Sequence, residues 1–310
     1  MSEPLKNISF VMPVLNEEHY LEIAVESVLN QKTPGKSELI LALGPSTDKT
    51  NSIAEGLAKK YRRLKLVDSP TGLTSTSLNL AIAASNYECV IRVDAHSELP
   101  EGYAALALKI LNETGAANVG GRMAAKGKSY FQRAVAYGYN NRIGLGGGSY
   151  HVGGDAGPSE SVYLGCFRKS VLDELGGFDP KWVRGQDWEL NQRIRKAGYE
   201  VWFDPRLEVG YYPRSSWLAL AKQFFKTGSW RGMLTRENPG DSRFRYWIPP
   251  LLVLSTIFFL PFWLYFIAIA FVAAGEMSLP WRVRLWLLLV LPTMHYSWGI
   301  GFWVGFIRGK

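Results

Sequence analysis

Cysteine is scarce. Two residues, Cys89 and Cys166, stand 77 positions apart in a chain of 310. That spacing fits no zinc or Cys-x-x-Cys motif and excludes a disulfide scaffold, so two ordinary thiols in a reducing compartment are expected. No Gly-x-Gly-x-x-Gly follows the first strand and no phosphate-loop lysine motif occurs, which argues against a dinucleotide or ATP site. The opening MSEPLKNISF lacks the basic leader and apolar core of a signal peptide, and the N-terminal region is expected to stay in the cytoplasm. Excess charge is missing from the first two thirds of the chain: residues 1–205 carry 23 basic and 23 acidic side chains, against 12 and 4 in residues 206–310. A nucleic-acid binder would instead interleave basic and aromatic residues on its main domain, so no nucleic acid is expected as a partner.

What is plentiful is apolar sequence, 47% of the residues, which excludes a disordered or fibrous chain. Its longest runs lie at the C-terminus. Residues 246–275 and 285–307 contain no Asp, Glu, Lys or Arg, and either stretch can cross a hydrocarbon core of roughly 30 Å. Trp247, Trp281 and Trp303 fall near the ends of these runs, as interfacial belts do. Two spans are expected, which would return the C-terminal Arg308 and Lys310 to the side of Arg243 and Arg245. Arg282 and Arg284 in the intervening turn resist translocation and leave a re-entrant or interfacial second segment open. His295 lies inside the second run, as a functional group or as a neutral packing histidine bonded to a carbonyl. Residues 206–245 are basic and amphipathic. Trp217, Leu218, Ala221, Phe224 and Phe225 approach helical spacing beside Lys222, Lys226, Arg231 and Arg236, the pattern of a helix on an anionic lipid surface or, alternatively, of a solvated basic face against the domain.

The first 205 residues alternate strand and helix patterns. NISFVMPVL, SELILALG, LKLVDS and ECVIRVDAH are short apolar runs; helical periodicity occupies the segments between them. Such repeats predict a mostly parallel α/β sheet covered on both faces. Ligands of such sheets bind beyond the carboxyl ends of the strands, which singles out Asn16 and Glu17, Ser46 to Asp48, and Asp94 to His96. Asp94 and His96 project on one side of an extended strand end. One carboxylate and one imidazole suffice for Mg²⁺ or Mn²⁺ when a diphosphate and water supply the other ligands; a capping aspartate in a solvated loop is the plain alternative. Asp187 opens a helix, where it acts as a cap or faces the same cleft. Asp155, in HVGGDAG, steers a second substrate or closes a turn. The glycines of Gly144 to Gly148 form a loop over a site or a linker.

Taken together, FVMPVLNEE, the STD turn, the Gly72…Asn79 turn and helix, VIRVDAH, GCFRKSVLDELGGFDP, GQDWELNQRIRKAGYEVWFDP and QFFKTGSWR resemble glycosyltransferase family 2, in that family's order. The GPS turn, DAH, HVGGDAG and the C-terminal apolar runs most resemble its bacterial exopolysaccharide members of the succinoglycan type. The resemblance implies a GT-A fold over residues 1–213, followed by an interfacial helix region at 214–245 and a membrane region at 246–310. It also implies an inverting hexosyltransferase of the inner membrane with its catalytic domain in the cytoplasm. The donor would be a nucleotide sugar, with UDP-hexose expected, and the acceptor a polyprenyl-pyrophosphate-linked saccharide beside anionic lipid.

By the same resemblance Pro13, Asn16, Glu17, Asp48 and Asp94 would bind the donor nucleotide. Asp94 and His96 would hold Mn²⁺ or Mg²⁺, Asp187 would be the general base, and Asp155, Gln223, Trp230 and Arg231 would serve the acceptor side. Three positions depart from the family pattern: Gly44 replaces a strand-two carboxylate, His96 the last carboxylate of Asp-x-Asp, and Tyr211 a histidine after the late strand. Transfer onto a polyprenyl phosphate itself, and a silent membrane adaptor, are the alternatives.

Overall fold

The computed structural model describes residues 3–237, 239–256 and 258–309. In chain order the elements are β1 (Ile8–Val14), α1 (Leu21–Leu29), β2 (Ser37–Leu43), α2 (Thr50–Lys60), β3 (Leu64–Asp68), α3 (Thr74–Ala83), β4 (Cys89–Arg92), α4 (Tyr103–Thr114) and β5 (Asn118–Ala125). Then follow α5 (Tyr130–Asn140), α6 (Arg142–Leu145), α7 (Ser149–Val152), β6 (Gly157–Pro158), β7 (Tyr163–Arg168), α8 (Lys169–Glu174), α9 (Gln186–Lys196) and β8 (Val201–Tyr211). The C-terminal helices are α10 (Trp217–Glu237), α11 (Ile248–Ser255), α12 (Phe259–Gly275) and α13 (Trp281–Arg308). Two compact units result: residues 1–123 with 153–210, and residues 124–152 with 211–310.

The first unit is built on a sheet of order β3-β2-β1-β4-β7-β5-β8-β6. Its first four strands are parallel, as their intervening helices require. Strand β7 runs antiparallel between β4 and β5, and β6 runs antiparallel to β8. Alternation along β2 shows why the sheet is covered twice. Leu39, Leu41 and Leu43 join Leu21, Val25 and Leu57 in one core, while Ile40 and Ala42 join Leu78, Ala81 and Leu190 in the other.

Buried Glu38 is fully bonded within that sheet. It accepts from Ser9 Oγ and Asn86 N at 2.7 Å, from Asn86 Nδ2 at 2.8 Å and from Lys65 Nζ at 2.7 Å. Burial alone would raise its pKa; the bonds from Lys65, Asn86 and Ser9 outweigh that and hold it below the ordinary value. The two thiols are both buried and unbridged, with Sγ atoms 3.3 Å apart on β4 and β7.

The second unit is helical. A capping box starts α5: Gln132 N donates to Ser129 Oγ at 3.1 Å, and Ser129 N donates to Gln132 Oε1 at 3.3 Å. Helices α10 and α13 pack backbone to backbone. A methyl on Gly228 or Gly232 of α10 would overlap the carbonyl oxygens of Trp298 or Phe302, and one on Gly301 or Gly305 of α13 those of Phe225 or Ser229. Both helices thus present small residues four apart to each other, the pattern that allows close approach of membrane helices. Arg236 at the end of α10 donates to the carbonyls of Phe306 and Ile307 at 3.2 and 2.8 Å, closing the C-terminus of α13.

The first apolar run does not form one helix. Proline cannot donate to the carbonyl four residues before it and crowds that carbonyl. The run accordingly divides into α11 and α12, with Pro261 in the first turn of α12. Among the described residues α13 alone, at 28 residues, is long and apolar enough to span a bilayer. The turn before it is tied down: Glu276 accepts from Tyr137 Oη at 3.0 Å, Arg284 donates to Ala274 O at 3.1 Å, and Arg282 stands over Tyr130 and Trp281.

The expected apolar stripe of α10 is also divided. Leu220, Phe224 and the glycines are buried, whereas Trp217, Leu218 and Phe225 stay exposed beside Lys222 and Lys226. His295 bridges two partners: its Nε2 faces the carbonyl of Ile143 and its Nδ1 the hydroxyl of Tyr265, both at 2.8 Å. A carbonyl can only accept, so Nε2 carries the proton and Nδ1 accepts from Tyr265 in the neutral ring.

Candidate active site

The loops at the carboxyl ends of β1 and β2 are laced together. Asn16 takes a positive φ of 56°, a conformation that asparagine tolerates better than most residues. That turn brings its Oδ1 to Thr47 N at 2.8 Å and its own N–H to Ser46 Oγ at 3.0 Å. Glu17 N donates to Thr50 Oγ1 at 2.7 Å, and Glu18 N to Asp48 Oδ2 at 3.3 Å. Asp48 also accepts from Thr50 N at 3.0 Å, and its bonds to Thr50 lower its pKa. Pro13 is half-buried near the end of β1. Gly44 lies where these loops meet the turn after β3: a Cβ there would come within 3.0 Å of both Gly72 Cα and Leu15 Cδ1. A side chain at this position would have to displace Leu15 or the backbone at Gly72.

Strand β4 is short and stops at Arg92. Asp94 follows two residues later, on the same side of the extended chain, and a turn closes from Ser97 N to Asp94 O at 2.8 Å. That turn carries His96 to Glu17, with Nδ1 and Oε1 2.9 Å apart. Asp187 enters from α9, one residue into the helix. Gly185, with φ 70°, supplies the left-handed turn before it, and no side chain caps the helix. Asp187 instead receives a hydrogen bond from Arg92 Nη1 on its Oδ1. The same guanidinium donates from Nε and Nη2 to Asp94 Oδ1, at 3.1 and 2.9 Å. One cation thus gathers the two carboxylates, and Oδ2 of each takes none of these contacts.

Exposure differs among the three. The side chain of Arg92 is 8% exposed and that of Asp94 18%, but that of Asp187 is 41% exposed. For Arg92, burial works against the charge and the two carboxylates prevail, keeping it firmly protonated. For Asp94, burial raises the pKa, and Arg92 and His96 lower it by more. Asp187 stands above the ordinary aspartate value: the surrounding protein raises it, Arg92 opposes that, and the negative charge of Asp94 adds to it.

A second pair of motifs meets behind α9. Asn79 Nδ2 donates to Phe178 O at 2.7 Å, and Phe178 N donates back to Asn79 Oδ1 at 2.8 Å. Arg193 of α9 then donates to the carbonyls of Leu175 and Gly177, at 2.7 and 2.8 Å. The start of the segment leading to Asp187, residues 175–178, is held by side chain to backbone bonds.

Asp155 lies exposed in the loop before β6. In the helical unit, Gln223 Nε2 donates to Tyr211 Oη at 3.2 Å, which gives the tyrosine in place of the family's histidine a partner on α10. Trp230 and Arg231 are buried on the same helix, and the Arg231 guanidinium lies 4.5 Å from the Trp230 ring and 4.0 Å from that of Tyr246. Sequence reasoning missed Arg92 itself. The signal was present: a charged residue inside the otherwise apolar run Cys89-Val90-Ile91-Arg92-Val93, in step with Asp94. Arg142, Arg245 and Tyr246 line a cavity together with Arg231.

Among the described residues no group of three or more His, Cys, Asp or Glu gathers into a metal cage. Asp94 and His96 offer a hard oxygen and an imidazole, a set that suits a divalent cation completed by phosphate oxygens and water.

Residues 9–176 match the family described as Glycosyl transferase family 2. The succinoglycan biosynthesis protein ExoA of Rhizobium meliloti is 28% identical over 94% of this chain and 93% of its own length. A Methanococcus voltae protein is 25% identical over 98% of each chain; it is named dolichyl N-acetyl-alpha-D-glucosaminyl phosphate 3-beta-D-2,3-diacetamido-2,3-dideoxy-beta-D-glucuronosyltransferase. Among solved structures, the mannosyltransferase PcManGT of Pyrobaculum calidifontis, in complex with GDP-Man and Mn²⁺, superposes with a TM-score of 0.66 at 16% identity, over 98% of this chain and 88% of that one. Residues 1–349 of S. aureus TarS superpose with a TM-score of 0.52 at 14% identity, over 96% and 90%.

Proposed function

Since the chain belongs to glycosyltransferase family 2 and has the GT-A fold, we propose that it moves a hexose from a nucleotide sugar, with UDP-hexose expected, to a lipid-linked saccharide, with inversion at the anomeric carbon. The observation that carries this reading is the shared guanidinium of Arg92, which keeps Asp94 and Asp187 side by side. Pro13, Asn16, Glu17 and Asp48 would form the nucleotide side of the site. Asp94 would face the donor diphosphate through Oδ2 and, with His96, hold Mn²⁺ or Mg²⁺. When bound, that cation supplies charge neutralisation for the departing diphosphate.

Asp187 is the more exposed carboxylate, and its Oδ2 would take the proton of the acceptor hydroxyl as that oxygen attacks from the face opposite the diphosphate. Displacement in one step inverts the centre, and no covalent sugar–enzyme bond is formed. A pKa above the ordinary aspartate value suits this role, because a more basic carboxylate accepts the proton more readily. On the acceptor side Asp155, Gln223, Trp230 and Arg231 remain the proposed residues.

The acceptor class is supported by the names of two relatives. One is a succinoglycan biosynthesis protein, the other a transferase named for a dolichyl phosphate-linked sugar. The exposed apolar residues of α11, α12 and α13, among them Leu251, Trp263, Phe271 and Leu288, support attachment to the inner membrane, with α13 as the expected span and α11–α12 as the second membrane element. The exposed basic and apolar residues of α10 support contact with anionic lipid.

Purified protein with Mn²⁺, a panel of UDP- and GDP-sugars and an extract of lipid-linked oligosaccharides tests this by mass spectrometry. A new glycosidic bond between sugars is the expected product. A sugar phosphodiester would mean that the lipid phosphate itself is the acceptor. Absence of any transfer or donor hydrolysis would leave the adaptor alternative.

A further inference from the structure

The helical unit encloses a cavity of about 330 Å³, within the size range of small-ligand sites, roughly 300–1,000 Å³. Its lining carries two chemistries. Leu252 of α11 and Met294 and Trp298 of α13 supply an apolar wall. Arg142 of α6, Arg231 of α10 and Arg245, just before α11, supply guanidinium groups, and no aspartate or glutamate lines the cavity among the described residues. Arg231 is buried, and it shares the Tyr246 ring with Arg245, at 4.0 and 4.9 Å.

We infer that this cavity receives the phosphate end of a single-chain polyprenyl lipid, its anionic head against Arg231 and Arg245 and its first isoprene units against Leu252, Met294 and Trp298. The inference rests on the lipid-linked acceptor proposed above and places that acceptor's carrier. Two features favour this occupant over others. A free phosphate ion has no use for the apolar wall. A two-chain phospholipid has more apolar volume near its head than a cavity of about 330 Å³ admits.

The charges point the same way. Guanidinium groups gathered in a partly apolar cavity repel one another, and a phosphate accepts hydrogen bonds from several at once. Burial and the neighbouring charge of Arg245 both push the pKa of Arg231 down, while Tyr246 and Tyr150 oppose them. An anion in the cavity would relieve that like-charge opposition. The chain of the lipid would continue along α11, α12 and α13, whose outward residues are apolar and exposed.

Intrinsic fluorescence of the full chain in detergent tests this, because Trp230 and Trp298 line the cavity. The probes are a long-chain polyprenyl phosphate, the matching polyprenol, inorganic phosphate and dioleoyl phosphatidylglycerol. Saturable quenching by polyprenyl phosphate is expected, about tenfold or more tighter than by the other three, the value of one charge-assisted contact. Arg245→Gln, which removes the charge, and Leu252→Trp, which takes up space at the apolar wall, should each weaken that binding about tenfold or more, with binding of a UDP-sugar unchanged. Equal binding of the polyprenol or the phosphatidylglycerol, or unchanged polyprenyl phosphate binding in both variants, overturns the inference. Turnover on a soluble saccharide without lipid binding would overturn this pocket and leave the transfer reading standing. Lipid binding without transfer to any acceptor would do the reverse.

Discussion

Arg92 donates to Asp187 and to Asp94 from a single guanidinium, and so connects residues 95 and 2 positions away in the sequence. Two carboxylates brought together in a partly buried site repel, and one of them tends to take up a proton. A buried, permanently charged arginine between them opposes that tendency while occupying only one oxygen of each. The planar fork of arginine suits this geometry; a single ammonium does not span two acceptors in the same way. The donor side and the acceptor side of the proposed reaction thereby share one structural element.

Replacing Asp187 with Asn is expected to lower kcat by about 10²–10⁴-fold, the usual value of a positioned general base. Its neighbours in α9 keep their bonds, since Arg193 is held by Glu189, Leu175 and Gly177. Binding of the nucleotide sugar, measured by calorimetry, should therefore change little. Near-normal turnover in this variant would remove Asp187 from the mechanism.

Arg92→Lys keeps the charge but loses the fork. It should raise KM for the donor, through Asp94, and lower kcat, through Asp187, each by about tenfold for one charge-assisted bond. Arg92→Met should do both more severely. A merely structural role would reduce the amount of folded enzyme and leave KM where it was, so steady-state kinetics on the folded fraction separates the two.

Glu38 makes a pH prediction for stability. Its folded-state pKa is depressed, so its contribution is present above the unfolded value of about 4.3 and is lost as pH falls through the folded value. Glu38→Gln should lower Tm near neutral pH, and the gap between variant and parent should close progressively as the pH is taken below that range. Thermal unfolding followed across the acid range checks the sign. A gap that widens towards low pH would show that the bonds of Glu38 do not favour its charged form.

Much of this arrangement is legible in the sequence, because alternation and helical spacing are local signals. The alternation of strand and helix patterns pointed to an α/β sheet covered on both faces, and Asn16, Glu17, Asp48 and Asp94 do lie in the loops after their strands. The antiparallel entry of β7 was not legible, since nothing local distinguishes a buried strand of either direction. Arg92 was passed over as one charge in an apolar run, because its two partners come from beyond β4 and from α9. The division of residues 246–275 did have a local cause in Pro261. Membrane helices nonetheless tolerate proline when neighbours satisfy the freed carbonyl, so the break does not follow from that residue alone. Ser255 and Thr256 instead turn their hydroxyls back to Leu252 O and Val253 O, at 2.8 and 2.6 Å, as α11 ends.

The contact between α10 and α13 makes a prediction that composition alone would reverse. Alanine is ordinarily the better helix former, by about 0.5–1 kcal/mol over glycine. At Gly56, exposed in α2 with open space where a Cβ would stand, Gly56→Ala should accordingly stabilise the chain by roughly that amount. At Gly228 and Gly305 the added methyl meets the backbone of the facing helix, at the carbonyls of Trp298 and Ser229. Backbone cannot move aside as a side chain can. The helices would have to separate, which removes the dispersion contacts along the whole crossing. Gly305→Ala is therefore expected to destabilise at least as much as ordinary overpacking, about 1–3 kcal/mol, and Gly305→Leu to abolish the packing of α10 on α13. Thermal unfolding of the two alanine variants in the same detergent decides it: opposite signs are expected, and a stabilising Gly305→Ala would mean that the helices do not meet through their glycines.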